Sequence, residues 1–444
     1  MMDQQKRNEQ RARTSFSHAQ ESWYSLDNAA IVMPALASRY FTGMFRLSVT
    51  LDHPVRVKEL TTALEHCARR FPYFMVELGK GFFWHLLQPV TLLPRPEADS
   101  RSPCVDFDFR QRNRPIFRVR LAGNRVACEF SHILTDGSGG MVFLKTLTAE
   151  YFRLCGIESS PDPQIFNLDE PANPQEFEDA YQRFYRPGMP LPDRMPGAFH
   201  FDSPLLPNFQ YRVTTGIVSF SALSDIAKSK SASITEFLIA LYLQTFLDIR
   251  ASYSMLKKRR TRPVVAIQVP VNLRKFFSTK TLRNFTLFVL PAVDSRLGTY
   301  TLDELVAYTH HFMRMENDGR RIAKTIGRNA GSVHGLAVRL VPRIIKDIAV
   351  RILHDRLGEN LMTGFLSNLG HISMPPELAP HITRFDFIGP PYKKMKSHIC
   401  MLYWQDNVYI GFASTAVHRD VEREFFRKMS KLGLHVQVEC NMEA

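Results

Sequence analysis

Ten prolines fall between Pro161 and Pro207 of this 444-residue chain, and few regular apolar runs lie among them. Proline locks φ, removes a backbone donor and cannot sit inside a helix or a central strand. A stretch so rich in it is a long connection. It divides the chain into a first part (1–160), a linker (161–208) and a second part (209–444). The length points the same way, because one ordinary core rarely organises so many residues.

Each part carries its own set of elements. In the first, "RLSVTL" (46–51) has the pattern of a strand. Val57, Leu60, Ala63, Leu64 and Cys67 recur at helical spacing within 56–72, and Pro72 closes that helix. The runs 73–78 and 81–87 flank Gly79–Lys80–Gly81 as a hairpin. A second hairpin spans 116–132 and turns at Ala122–Gly123–Asn124. Met141, Val142, Leu144, Leu147, Tyr151 and Leu154 then predict a helix. In the second part, strands are predicted at 216–220, 264–273, 363–369, 383–388, 397–404 and 407–414. Helices are predicted at 221–229, 234–249, 301–316, 335–354 and 421–432, with Thr301 and Glu304 spaced as a capping box. Both parts intersperse strands with helices, which predicts two α/β or α+β lobes.

Hydrophobic residues make up 45% and charged residues 23%, a globular balance. No run approaches about 18 uninterrupted apolar residues, so no membrane span is expected. The opening "MMDQQKRNEQRARTSFS" is basic but lacks an apolar core behind it, so no secretory signal is expected. The six cysteines are scattered, with no C-x-x-C pair. That usage predicts reduced thiols in a cytoplasmic protein and no metal site. The net charge of +14 favours an anionic partner without choosing one. No nucleic-acid motif accompanies it, and nucleic acid is not the expected partner.

The stretch "CEFSHILTDGSGG" (128–140) ends a predicted strand at His132 and leads through Asp136 and a small-residue run into a helix. A strand fixes the backbone of such a histidine while the following loop opens its ring toward a cleft. An unperturbed pKa of about 6.5 lets it take a proton from a hydroxyl or amine and return one to a thiolate. Asp136 could orient the ring, or brace the loop by pairing with a distant cation. Gly137 can adopt positive φ and leaves space for a ligand.

This H-x-x-x-D-G stretch resembles the CoA-dependent acyltransferase superfamily, which includes chloramphenicol acetyltransferase and peptide-synthetase condensation domains. Within it the chain looks most like the bacterial condensation-like alcohol acetyltransferases. "SWYSLDNAA" (22–30), "RFPYF" (70–74), "GFFWHL" (81–86), "VPVNLRKFF" (269–277), "TLRNF" (281–285) and "SNLG" (367–370) extend the likeness in order across nearly the whole chain. The resemblance implies two chloramphenicol-acetyltransferase-like lobes in a V-shaped pseudo-dimer with the active-site tunnel between them. It implies a monomer that moves an acyl group from a thioester to a hydroxyl or amine by direct attack. His132 would be the general base and Asp136 a structural carboxylate paired with Arg274, while Gly137 would keep the tunnel open. Ser367 and Asn368, with Asn284 as a second amide, would face the developing oxyanion. No cofactor would be bound permanently, and acyl-CoA would be the co-substrate. Two departures stand out: Ser131 occupies the place of a second histidine, and the D-F-G-W-G motif of the plant branch is absent. A carrier protein's pantetheine thioester is the alternative donor, and a non-catalytic docking member of the fold is the alternative role.

Two basic stretches, "KKRR" (257–260) and "YKKMK" (392–396), are candidates for the phosphates of CoA. Residues 335–354 form a basic amphipathic stretch interrupted by Pro342. Such a helix normally packs its apolar face on its own domain. The alternative is peripheral contact with a membrane surface.

Overall fold

The computed structural model describes residues 23–442 apart from 39–40, 106, 189–195 and 335–339. The basic N-terminal stretch and the start of 335–354 therefore lie outside the described residues. In the first part, β1 (Tyr24–Ser25) and α1 (Met33–Leu36) precede β2 (Met44–Leu51) and α2 (Val57–Arg70). Leu60, Ala63, Leu64 and Cys67 form the buried face of α2, as their spacing predicts, whereas Val57 at its first turn is exposed. β3 (Val76–Lys80) and β4 (His85–Pro89) pair antiparallel with Lys80 opposite His85. The hairpin tip is therefore 81–84, and Gly79 lies inside a strand instead of in the turn.

β5 (Glu97–Ala98) pairs with β6 (Phe117–Ala122), and β6 pairs with β7 (Arg125–Ser131). The β6–β7 turn is Gly123–Asn124, with Gly123 in the left-handed region at φ +58°. α3 (Gly137–Leu154) begins at the small-residue run itself, because the Asp136 carboxylate caps its first turn. The proline-rich connection contains α4 (Ala180–Arg183) and is anchored to the first part. Glu176 in it is buried and accepts from Arg70 Nη1 and Nη2 at 2.8 and 2.7 Å, and from the Tyr73 hydroxyl at 2.6 Å.

The second part runs β8 (Arg212–Ser219), α5 (Phe220–Ser229), α6 (Ile234–Ala251), α7 (Met255–Arg260), β9 (Val264–Asn272), β10 (Thr286–Val289) and β11 (Ala292–Asp294). It continues through α8 (Leu302–Glu316), α9 (Gly319–His334), α10 (Arg343–Leu357), β12 (Gly364–His371), β13 (Ile382–Ile388), β14 (Ser397–Trp404), β15 (Asn407–Ser414), α11 (Asp420–Lys431) and β16 (Gln437–Cys440). The larger sheet has the order β10-β9-β12-β14-β15-β8-β16, with β11 also on β9. Against it packs α6, whose apolar residues are buried on nearly every side.

β13 does not join that sheet. It pairs antiparallel with β2, with Phe385 opposite Val49 and Phe387 opposite Leu47, so the first sheet has the order β13-β2-β7-β6-β5. Leu282, Leu402 and Trp404 from the second part are buried in the same core as β2, α2 and α3.

One expectation fails clearly. α10 does not pack its apolar face on its own domain: Ile344, Ile345, Ile348 and Ile352 are all exposed. No single helix among the described residues is long and apolar enough to cross a membrane.

Candidate active site

His132 follows the last residue of β7. Its backbone N–H donates to Gly43 O at 2.8 Å, and its ring lies 4.6 Å from the Phe45 ring, centre to centre. Its carbonyl accepts from Asn284 Nδ2 at 2.8 Å. The same amide donates to Asp27 Oδ2 at 2.9 Å, and Asp27 Oδ1 accepts from the backbone N–H groups of Ala29 and Ala30. Asp27 is wholly buried, with Arg283 Nε 3.4 Å from Oδ2. Residues 27, 132 and 284 thus form one buried hydrogen-bonded cluster that holds the backbone at the histidine.

The imidazole keeps part of its surface open. It is nevertheless deep enough that desolvation lowers its pKa below the ordinary 6.5, against the opposing pull of the Asp136 charge, Asn284 and Thr135. Burial thus favours the neutral imidazole, the form able to accept a proton.

Asp136 spends its acceptor capacity elsewhere. Oδ1 accepts from Ser138 and Gly139 N–H at 3.1 and 3.0 Å; Oδ2 accepts from Arg274 Nη1 at 2.8 Å and Phe285 N–H at 3.0 Å. Four donors match the four lone-pair directions of a carboxylate. Arg274 is fixed in turn, donating from Nε to Thr281 O at 2.9 Å and from Nη2 to Arg283 O at 2.5 Å. The ion pair therefore ties the start of α3 to the 272–285 segment, and Asn272 Nδ2 adds a bond to Ser138 Oγ at 3.1 Å. Ser131 is also structural: its Oγ accepts from Ile133 N–H at 3.2 Å, and the residue is buried.

The glycines act through space, not through positive φ. Gly137 lies outside the left-handed region, contrary to the expectation for it. A Cβ there would meet Leu369 Cδ2 at 2.8 Å, so the "SNLG" stretch of β12 packs directly on the motif. Gly139 is tighter still. Its Cβ would lie 2.1 Å from Leu282 O and 2.3 Å from Thr135 Oγ1, a hydroxyl that donates to that same carbonyl at 2.5 Å. Gly139→Ala must move backbone and is expected to cost about 3 kcal/mol or more, whereas Gly137→Ala displaces only a side-chain tip and should cost about 1 kcal/mol. Urea denaturation of both variants measures the difference.

The remaining candidates make their hydrogen bonds outside this cluster. Asn368 on β12 donates to Thr235 Oγ1 at 2.9 Å and to the Tyr403 hydroxyl, and its Oδ1 accepts from Gly370 N–H at 2.7 Å. Ser367 beside it is buried. The two basic stretches meet each other: Lys257 and Arg260 of α7 and Lys396 line a cavity of about 610 Å³ with His200 and Asp202. α7 precedes the first residue of β9, whereas Asn272 at its last residue touches the motif. Nine residues of strand separate them, about 30 Å of chain.

No family model matches this chain, and no curated protein matches it. Solved structures do. Polyketide synthase associated protein 5 from Mycobacterium tuberculosis is similar over 91% of this chain and 96% of its own, with TM-score 0.58 and 15% identity. Fusarium sporotrichioides TRI101, solved with coenzyme A and T-2, is similar over 95% and 100%, with TM-score 0.60 and 12% identity. The starter condensation domain of rhizomide synthetase, solved as a mutant with C8-CoA and Leu-SNAC, is similar over 93% and 94%, with TM-score 0.59 and 12% identity. The chain shares the fold of these structures, a condensation domain among them. In this fold the H-x-x-x-D-G stretch of the present chain lies at the junction of β7 and α3. The segments that brace it come from residues 272–285 and from Leu369 of β12.

Proposed function

We propose that the chain is an acyltransferase that moves an acyl group from acyl-CoA to a hydroxyl or amine acceptor by direct attack, with His132 as general base. The observation that carries this reading is a partly open imidazole, its neutral form favoured by burial, near a carboxylate whose four acceptor positions are already occupied. Asp136 is then a positioning residue, and the proton has one acceptor. The likeness to structures solved with coenzyme A and C8-CoA supports a CoA thioester as donor.

In this mechanism the acceptor oxygen or nitrogen attacks the thioester carbon as His132 takes its proton. The tetrahedral intermediate collapses, the C–S bond breaks, and the imidazolium returns the proton to the thiolate. The products are an ester or amide and free CoA. Asn284 and Arg274 hold the base and its loop in place. Ser367 is the small polar group assigned to the oxyanion, whereas Asn368 is already engaged with Thr235 and Tyr403.

Thiol release from acyl-CoA, measured with a panel of alcohols and amines, tests the reaction; no acceptor-dependent release would refute it. The pH profile tests the base. Only the neutral ring accepts a proton, so the rate falls as pH falls through the folded-state pKa. Burial lowers that pKa, so the acid limb of kcat/KM should have its midpoint below 6.5. A midpoint above that value would assign the base to another group.

A further inference from the structure

We propose that the outer face of α10, together with the tip of the β3–β4 hairpin, docks on an anionic phospholipid surface. Three basic side chains of this helix reach back to carbonyls of the protein. Arg343 Nε donates to Gly81 O at 3.1 Å, Lys346 Nζ to Phe83 O at 3.1 Å, and Arg351 Nε to Ala35 O at 2.6 Å. Lys346 Nζ also lies 3.3 Å from the centre of the Trp84 ring, and Asp347 is held between His85 and Arg343. The apolar side faces outward: Ile344, Ile345, Ile348 and Ile352 are 64%, 57%, 53% and 54% exposed. At about 100° per residue these four cover one continuous side of the helix.

The patch continues beyond the helix. Arg343 N–H donates to Phe82 O at 3.0 Å, which brings the hairpin tip against the start of α10. Phe82 and Phe83 there are 72% and 40% exposed. Soluble proteins rarely leave so large a contiguous apolar patch uncovered unless something binds it.

Charge selects the occupant. Lys80, next to the hairpin tip, and Arg351, on the helix, are exposed, Arg343 and Lys346 lie half-buried between the two elements, and the chain as a whole carries +14. A second copy would bring the same positive charge to the contact, whereas an anionic bilayer complements it. An apolar helical face with basic side chains at its margin is the arrangement that lies in a membrane interface, its lysines and arginines reaching the headgroups. This inference does not depend on the acyltransferase reading, because binding is measured without turnover.

The test is cosedimentation of the full chain with phosphatidylcholine vesicles, with and without phosphatidylglycerol. Binding to the anionic vesicles is expected to be roughly tenfold stronger or more, and to weaken as salt is raised. Ile344→Glu/Ile348→Glu changes two solvent-facing positions, and is expected to abolish that binding at an unchanged melting temperature. Phe82→Ser, on the other element of the patch, should weaken it several-fold. Absence of binding to anionic vesicles would overturn the proposal, as would equal binding by the parent and both variants. A parent dimer in light scattering that the double isoleucine variant dissolves would also overturn it, since a second copy would then cover the face.

Discussion

His132→Ala is expected to lower turnover by about 10²–10⁴-fold while acyl-CoA affinity stays within a few-fold. In a direct transfer the acceptor's proton must leave as the carbonyl is attacked, and an aliphatic hydroxyl is too weak an acid to lose it unaided. The factor corresponds to roughly 3–5 kcal/mol of transition-state stabilisation. The substitution removes the ring from Phe45 but leaves the backbone anchors of residue 132, its N–H to Gly43 and its carbonyl to Asn284, in place. The loss should therefore fall on kcat and not on folding. Ser131→Ala is the control: its hydroxyl braces a turn through Ile133 N–H, so turnover should change little. Calorimetric binding of a CoA thioester, run beside steady-state turnover of both variants, separates the cases. Full activity in His132→Ala would refute the assignment.

Asp136→Asn is expected to destabilise the fold by about 3 kcal/mol, the low end for a buried pair, because it leaves the partly buried Arg274 guanidinium without its counter-charge. Asp136→Ala should cost more, since it also removes the cap on Ser138 and Gly139 N–H, worth about 1 kcal/mol. A double-mutant cycle with Arg274→Gln isolates the pair. The double variant should be less destabilised than the sum of the singles, because neither charge is then stranded. If Asp136→Asn melts like the parent, the carboxylate does not brace this loop and its role must be sought in the chemistry.

Much of this arrangement can be read from the chain where the signal is local. The β6–β7 turn follows from Gly123–Asn124, and α2 from its apolar spacing and Pro72. Arg274 was legible as the partner of Asp136 only through family resemblance, since 138 residues separate the two. Asp27 was missed, although it carries the Asn284 amide that holds His132. The available signal was a lone carboxylate inside the aromatic and small-residue run "SWYSLDNAA", which has to be paired if it is buried. α10 misled for another reason. Its periodicity is that of an ordinary amphipathic helix, and periodicity reveals that one face is apolar without revealing which way it points. β10, β11 and β16 span three or four residues each, too short for alternation to register. The placement of β13 beside β2 is a long-range choice that no local pattern encodes.

That last placement has a consequence for how the protein forms. β2 is a central strand only when β13 is beside it, and Phe385 and Val49 are separated by more than three hundred residues. Until the ribosome has released the chain through Ile388, the first sheet exists with β2 as an open edge, its Phe45, Leu47 and Val49 backbone available to any passing strand. Closing so long a loop is slow compared with hairpin formation, so that edge stays open to mispairing throughout this interval. His132 and its loop sit at the far end of β7, the other neighbour of β2. Synthesis of the motif near residue 132 therefore precedes by a wide margin the moment at which its supporting sheet is complete.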